Sequence, residues 1–281
     1  MTDMQTAILW WRQLYSELGL SGVGSTPGRL GEMAQHRHKS LIDLFFALNK
    51  ELDIGTFLEI GAHEAGASKH FVWLNPNGRA YAYEPAPAVY KKTVESGIPD
   101  RMQIFPIAVG PKAGDVTFFQ PVDERFHPMA SSRKRLGGET MEVEEVRVPV
   151  ITLETVASRA VPAPGRRTTM WVDVEGQAFE VLRSGEAFIR DRVAMVYIEV
   201  QDFNSYEGGA TSLEVIDILL RNGFVPVSRD NQHADAWNLL MLHQDCYLAA
   251  RESIAYWLRS NAGIAGVANW LTDGKFGEPT L

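Results

Sequence analysis

Residues 56–68, TFLEIGAHEAGAS, decide the fold of this 281-residue chain. The mainly apolar run 56–60 predicts a buried β-strand, and the glycines at 61 and 66 predict a turn. A helical pattern of apolar residues begins near Ser68. A strand, a glycine-rich turn and a helix in succession form the start of a βαβ unit, and they predict a parallel sheet.

The turn is spaced as Gly61-x-x-x-x-Gly66, which differs from the Gly-x-Gly-x-x-Gly pattern of dinucleotide-binding turns. Gly61 has no Cβ, and we expect a ligand to approach the backbone there. The strand ends in Glu59, and an acidic strand end suits a ligand that carries a positive charge. The turn therefore predicts a small-molecule site other than a pyrophosphate cradle.

Short apolar runs and helical patterns alternate along the following sequence, as in a parallel α/β sheet. The predicted strands are residues 56–60, 80–83, 103–107, 170–174 and 194–200, and the predicted helices are 68–74, 87–95, 177–183 and 212–222. The last two apolar runs, 224–228 and 237–242, are separated by a stretch too polar for a crossover helix. They predict a final antiparallel hairpin, a layout typical of class I methyltransferases.

Three further regions complete the predicted organisation. Residues 1–52 form a helical segment, with one helix near 8–20 and a second over 41–52, and either a cap on the sheet or a lid over a pocket fits this pattern. Residues 53–245 form the core, with an insertion at 111–167 that contains β-like stretches at 115–119 and 144–153. Residues 246–281 form a helical tail. A long loop within a compact core is typical of a functional segment, and we expect this insertion to cover the substrate that accepts the transferred group.

Two further motifs carry carboxylates at predicted strand ends. Glu84 follows Gly61 by 23 residues, where a carboxylate can accept hydrogen bonds from both hydroxyls of a ribose. Asp173 and Glu175 end a central strand, at the edge where ligands bind in open α/β sheets. We expect Asp173 to face the reacting centre, and Glu175 to cap the helix that begins near Gln177.

The run from Glu59 to Ser68, together with Tyr83-Glu84-Pro85, resembles the opening motifs of FkbM-type S-adenosylmethionine-dependent methyltransferases. The resemblance continues through Phe105-Pro-Ile-Ala108, Val148-Pro-Val-Ile-Thr-Leu153 and Trp171-Val-Asp-Val-Glu-Gly176. It covers residues 56–242. It implies a Rossmann-like class I methyltransferase fold and methylation of a hydroxyl on a sugar, glycan or secondary metabolite.

The resemblance also implies the site residues. The expected cofactor, S-adenosylmethionine, would contact Glu59, Gly61, Ala62, His63, Gly66, Ser68, Glu84, Pro85, Ala108 and Asp173. The expected catalytic residues are Asp173, Glu199 and His63, because an acceptor hydroxyl needs a base. His127 is a further candidate base, although we expect it to be a surface residue.

Several alternatives stay open. We expect no metal, but Asp173, Glu199 and Gln201 carry oxygen atoms that suit Mg²⁺ or Ca²⁺. Transfer to nitrogen or to a carboxylate is the alternative within the class, and an NAD-dependent oxidoreductase or a catalytically silent binding protein is the alternative outside it. Tyr206 and Asn204 follow Glu199 and are candidates to contact the acceptor.

The composition limits the classes of partner and the compartment that we expect for this protein. With 27 basic and 35 acidic residues the formal charge is −8, which argues against a nucleic-acid-binding protein. A single cysteine excludes an internal disulfide framework. The longest apolar run is far shorter than a membrane span, and the first residues lack the pattern of a signal peptide. We therefore expect a cytoplasmic enzyme with a small-molecule or glycan acceptor, and a homo-oligomer is compatible with its apolar tail.

Overall fold

The computed structural model describes residues 29–136, 142–160, 167–202, 205–230 and 236–260. The predicted helix near residues 8–20, the candidate contact Asn204 and the end of the predicted tail lie outside these ranges. Within them, none of the helices is both long and apolar enough to cross a membrane.

Ten strands are present within these described ranges. They are β1 Thr56–Ile60, β2 Arg79–Tyr83, β3 Met102–Phe105, β4 Ala108–Val109, β5 Gly114–Pro121, β6 Val143–Ile151, β7 Thr168–Val172, β8 Val193–Gln201, β9 Phe224–Arg229 and β10 Ala236–His243. The main sheet has seven strands in the order β3-β2-β1-β7-β8-β10-β9. Strand β10 is antiparallel to both of its neighbours, and the other described pairs of this sheet are parallel. This is the Rossmann-like sheet of the class I methyltransferase fold, as the sequence predicted.

The part of the chain that the structure describes has eight α-helices. They are α1 Arg29–Glu51, α2 Gly66–Leu74, α3 Pro87–Glu95, α4 Leu153–Arg159, α5 Ala178–Arg183, α6 Glu186–Arg192, α7 Ser212–Arg221 and α8 Gln244–Ser260. Helix α7 begins with a capping box, in which the Thr211 and Glu214 side chains each bond the other's backbone N–H. Helix α3 starts at Pro87, whose missing N–H costs nothing in the first turn.

Helix α1 lies on one face of the sheet over its central strands. The ring of Phe45 packs against Phe57 of β1, Trp171 of β7 and Tyr197 of β8, with centroids 5.5–6.0 Å apart. The Trp171 and Tyr197 rings stack at 3.8 Å. The described part of the predicted N-terminal cap therefore contributes to the main core.

The insertion forms a sheet of its own in the order β4-β6-β5, with β5 and β6 antiparallel along their whole length. A 3₁₀ helix, Glu124–Met129, follows β5. Phe118 and Val148 bury their side chains against α3, with Val89 in the same cluster. Both predicted β-like stretches are confirmed, and the short β4 was not predicted.

Strand β7 begins and ends two residues earlier than the predicted strand 170–174. Thr168 and Thr169 look like loop residues in the sequence, yet both are fully buried between β1 and β8. The shift leaves Asp173 just beyond the last residue of the strand, where its side chain can reach the ligand edge of the sheet.

Candidate active site

A cleft of about 200 Å³ opens at the carboxyl ends of β1, β2 and β7. Strand β1 has β2 on one side and β7 on the other, so the order in which strands are added to the sheet changes direction at β1. Open α/β sheets bind their ligands at such a point. The predicted residues that line the cleft are Gly61, His63, Glu84, Pro85, Ala108 and Asp173. Phe118, His127 and Ala130 of the insertion line it from the other side.

The loop after β1 has a constrained backbone. Gly61, His63 and Ala65 all have positive φ, at 79°, 47° and 54°. The N–H groups of Gly61 and Ala62 both donate to the Tyr83 carbonyl at 3.0 Å, which holds the loop against the end of β2. Left-handed backbone at residues other than glycine is strained, and it persists because these bonds fix the loop.

The two predicted glycines serve different purposes. A Cβ on Gly61 would lie 1.6 Å from the Asp173 carbonyl oxygen, so β1 and the end of β7 can approach each other only because this residue is glycine. Gly61 also lines the cleft, so the expected approach of a ligand to its backbone stays a prediction beside this packing constraint. A Cβ on Gly66 would meet nothing within 4 Å, so the space beside the start of α2 is open.

Glu84 is the most firmly held carboxylate of the cleft. Its Oε2 accepts a hydrogen bond from the His63 N–H at 2.7 Å, and its Oε1 accepts one from the Ala86 N–H at 2.8 Å. Burial raises its pKa to about 7, and the two backbone donors act in the opposite direction. A carboxylate can accept about four hydrogen bonds, so each oxygen keeps capacity for a ligand hydroxyl.

Glu59 has a different role from the expected one. Its Oε2 accepts from the Ser68 N–H at 2.9 Å, at the start of α2, and burial raises its pKa to about 7. Glu59, Ala62, Gly66 and Ser68 were predicted as cofactor contacts, but the cleft is lined by other described residues. The Glu59 carboxyl thus stabilises the turn from within, and the expected direct contact with a positively charged ligand has no support in this geometry.

Asp173, Glu175 and Glu199 form a cluster in which one carboxylate oxygen from each lies within 4.8 Å of the others. Asp173 and Glu199 hydrogen-bond to each other, which requires that they share a proton. Burial and then the charges of Asp173 and Glu175 raise the pKa of Glu199 well above its usual range. Burial raises the pKa of Asp173 as well, and Asp173 is the member of this pair that lines the cleft.

The prediction that Glu175 caps the following helix is wrong. Gln177 is the N-cap residue of α5, and the cap has no side-chain hydrogen bond. The Glu175 carboxylate instead accepts the hydroxyl hydrogen of the buried Tyr206, and burial together with the nearby Asp173 raises its pKa to about 7. Tyr206 was a candidate acceptor contact, and in the structure its hydroxyl is already engaged.

Two histidines lie on opposite sides of the cleft. His63 is half-buried, and burial lowers its pKa, which favours the neutral imidazole at neutral pH. His127 comes from the 3₁₀ helix of the insertion and also lines the cleft, so the expectation of a surface histidine is wrong. The 3₁₀ helix brings it there because the insertion folds back over the sheet edge.

The insertion is fastened over the acidic cluster by residues 131–136, which we call the clasp. The Leu136 N–H donates to the Ser205 carbonyl and the Glu207 N–H to the Lys134 carbonyl, both at 2.8 Å. Arg133 forms an ion pair with Glu180 at 2.5 Å. No pattern in the sequence links Arg133 to Glu180, which lies 47 residues away.

A second polar group lies under α1 and was missed in the sequence. His38 Nδ1 is 2.7 Å from Asp230 Oδ2, and Asp230 is fully buried. Both Asn238 donors, the backbone N–H and the side-chain amide, also bond Asp230. Trp237 donates its indole N–H to Asp202 at 3.0 Å, as expected for a buried residue of the hairpin.

Over residues 59–226 the chain matches the family described as "Methyltransferase FkbM domain". No curated protein matches it in sequence. Magnesium protoporphyrin IX methyltransferase from Synechocystis PCC 6803, solved with bound SAM, is similar in structure at 10% identity and a TM-score of 0.42, covering 85% of this chain and 92% of that one. An O-methyltransferase family protein from Burkholderia thailandensis is similar at 8% identity and a TM-score of 0.41, covering 73% and 55%.

Proposed function

Because the chain belongs to the FkbM-domain methyltransferase family, we propose that it transfers a methyl group from S-adenosylmethionine to a hydroxyl of a sugar, glycan or secondary metabolite. The observation that carries the proposal is the cleft at the ends of β1, β2 and β7. Its walls hold Glu84 on one side and Asp173 on the other. A group that binds a ribose and a group that accepts a proton thus face one space.

Glu84 would hold the ribose, because two backbone N–H groups fix its carboxylate and each oxygen can still accept a hydroxyl hydrogen. Pro85, Ala108, Val109 and Phe118 line the cleft and offer an apolar wall to a purine ring. Bound there, S-adenosylmethionine would supply an electrophilic methyl group on a sulfonium.

The chain's own chemical contribution is to accept the proton of the acceptor hydroxyl. Asp173 does this, since it lines the cleft and burial raises its pKa above that of a solvated aspartate, which makes it a stronger base. Glu199 positions Asp173 through their hydrogen bond and keeps the shared proton away from the cleft. His63, held neutral by burial, is a second group on the wall that can accept a proton.

Calorimetric titration with S-adenosylhomocysteine, with NAD as a control, tests the cofactor. We expect micromolar binding of the former alone, and binding of NAD alone would favour an oxidoreductase. A panel of hydroxyl, amine and carboxylate acceptors then separates O-methylation from the alternatives within the class.

Asp173→Asn tests the base. It keeps the size of the side chain but removes its capacity to take a proton, so turnover should fall about 100-fold or more with S-adenosylhomocysteine affinity nearly unchanged. Asp202→Asn is the matched control, because its Oδ1 keeps both acceptor bonds, to Trp237 and to Ser212. Normal turnover by Asp173→Asn would show that the base is another group.

A further inference from the structure

We propose that Asp173, Glu175 and Glu199 together bind one divalent cation that prefers oxygen ligands, Mg²⁺ or Ca²⁺. The three side chains come from the end of β7, the loop after it and the end of β8. One carboxylate oxygen of each lies within 4.8 Å of the other two. Oxygen atoms that bind a common Mg²⁺ or Ca²⁺ lie at this separation or closer, because metal–oxygen distances are about 2.0–2.6 Å.

When all three carboxyls of the cluster are ionised, the described groups around them do not balance their charge. Tyr206 donates one hydroxyl hydrogen to Glu175, and Asp173 and Glu199 share a proton. The charge of Arg135 acts on Glu175 and that of His38 on Asp173, but none of the described ion pairs joins a lysine or arginine to any of the three carboxylates. A cation is the component that would balance this charge.

A second observation comes from the aromatic pair beneath the cluster. Tyr197 is 1% exposed, and its hydroxyl is buried with no hydrogen-bond partner among the described residues. It precedes Glu199 by two residues on β8 and so lies on the same face, and the charge of Asp230, followed by those of Asp173 and Glu199, acts on it. Buried hydroxyls are nearly always bonded, so a water or ligand oxygen at the cluster is the partner this group lacks.

The cation would lie beside the wall of the cleft that Asp173 forms. What it does there rests on the proposed function: it would replace the proton shared by Asp173 and Glu199, bind the acceptor hydroxyl and lower its pKa. With Asp173 engaged as a ligand, the hydroxyl proton would pass to His63, the second proton acceptor on the wall. Binding itself requires no turnover, so the site can be tested without an acceptor.

Terbium luminescence is the direct test. Tb³⁺ takes the place of Ca²⁺ at oxygen sites, and it emits strongly when a tryptophan or tyrosine nearby absorbs the light. Trp171 and Tyr197 lie two residues before Asp173 and Glu199. We expect saturable, aromatic-sensitised emission from the full chain, displaced by Mg²⁺ or Ca²⁺.

The variants Glu199→Gln and Glu175→Gln each remove one charge at nearly constant size, and each should weaken Tb³⁺ binding about tenfold or more. Asp202→Asn removes a charge at the same sheet edge outside the cluster, and it should bind Tb³⁺ like the wild type. Circular dichroism confirms that each variant is folded.

Equal Tb³⁺ affinity in the wild type and both cluster variants, or no sensitised emission, would overturn the cation site. S-adenosylhomocysteine binding, measured on the same samples, reports on the proposed function separately. Cation binding without S-adenosylhomocysteine binding would reject the methyltransferase and keep the site, and the reverse result would reject the site and keep the methyltransferase.

Discussion

Replacing each of the two glycines of the β1–α2 loop with alanine should have opposite effects on stability. In Gly61→Ala the new methyl carbon would lie 1.6 Å from the Asp173 carbonyl oxygen, and the backbone φ of +79° is unfavourable for alanine. The left-handed conformation costs about 1–2 kcal/mol and overpacking about 1–3 kcal/mol. The obstacle is a backbone atom, which cannot rotate away as a side chain can.

We therefore expect Gly61→Ala to lower the free energy of unfolding by about 2–5 kcal/mol. With a urea m-value of about 3 kcal/mol per molar, as suits a chain of this size, the unfolding midpoint should fall by about 1 M. Gly66→Ala is the matched control. Its Cβ meets nothing within 4 Å and it lies in the first turn of α2, so stability should be unchanged or higher by up to about 1 kcal/mol.

The same pair separates stability from binding. If ligand occupies the open space beside Gly66, Gly66→Ala should weaken S-adenosylhomocysteine binding although the protein is as stable as the wild type. Equal urea midpoints for Gly61→Ala and the wild type would refute the close approach of β1 to the end of β7.

Three further predictions concern the carboxylates and the clasp. Glu84→Gln should weaken S-adenosylhomocysteine binding about 10-fold or more in calorimetry, because one acceptor oxygen becomes a donor group that faces backbone N–H groups. Unchanged affinity would show that the ribose binds elsewhere. Burial raises the pKa of Glu59, Glu84 and Glu175 from 4.5 to about 7, so their contribution to stability is present below pH 4.5 and lost as the pH rises through 7. Urea midpoints should thus fall between pH 5 and pH 8, less so in Glu84→Gln, and an equal fall in the two proteins would contradict the raised pKa of Glu84. Arg133→Gln should release the clasp, and hydrogen exchange at the Leu136 and Glu207 amides should become faster while the amides of β1 keep their protection.

The elements predicted best are those with a clear local signal in the sequence, such as a continuous apolar run or a proline at a helix start. The apolar run of β8 was predicted at 194–200 and spans Val193–Gln201, and helix α3 has its predicted bounds because Pro87 fixes its start. Strand β7 was shifted because Thr168 and Thr169 are buried by neighbouring strands, and their polarity hides this from a local pattern.

In the candidate site, too, residues with a local sequence signal could be predicted, and contacts between residues far apart in the sequence could not. Glu84 and Asp173 could be predicted because each follows a recognisable strand in a parallel sheet. The partner of Glu175 could not, because Tyr206 follows it by 31 residues and approaches through the loop after β8. The pairing of His38 with Asp230 spans 192 residues, and no local periodicity reports a contact at that separation.

The position of β10 has a consequence for synthesis on the ribosome. Strand β9 is made before β10, yet its neighbour in the sheet is β10, which also covers the exposed edge of β8. While residues 236–243 are still inside the ribosome, the apolar edge of β8 therefore has no neighbour and β9 has nothing to pair with. Such an edge is a template for joining another chain. The nascent protein thus depends on a strand made after β9 to protect it from aggregation, and slow translation after residue 230 would prolong the exposure.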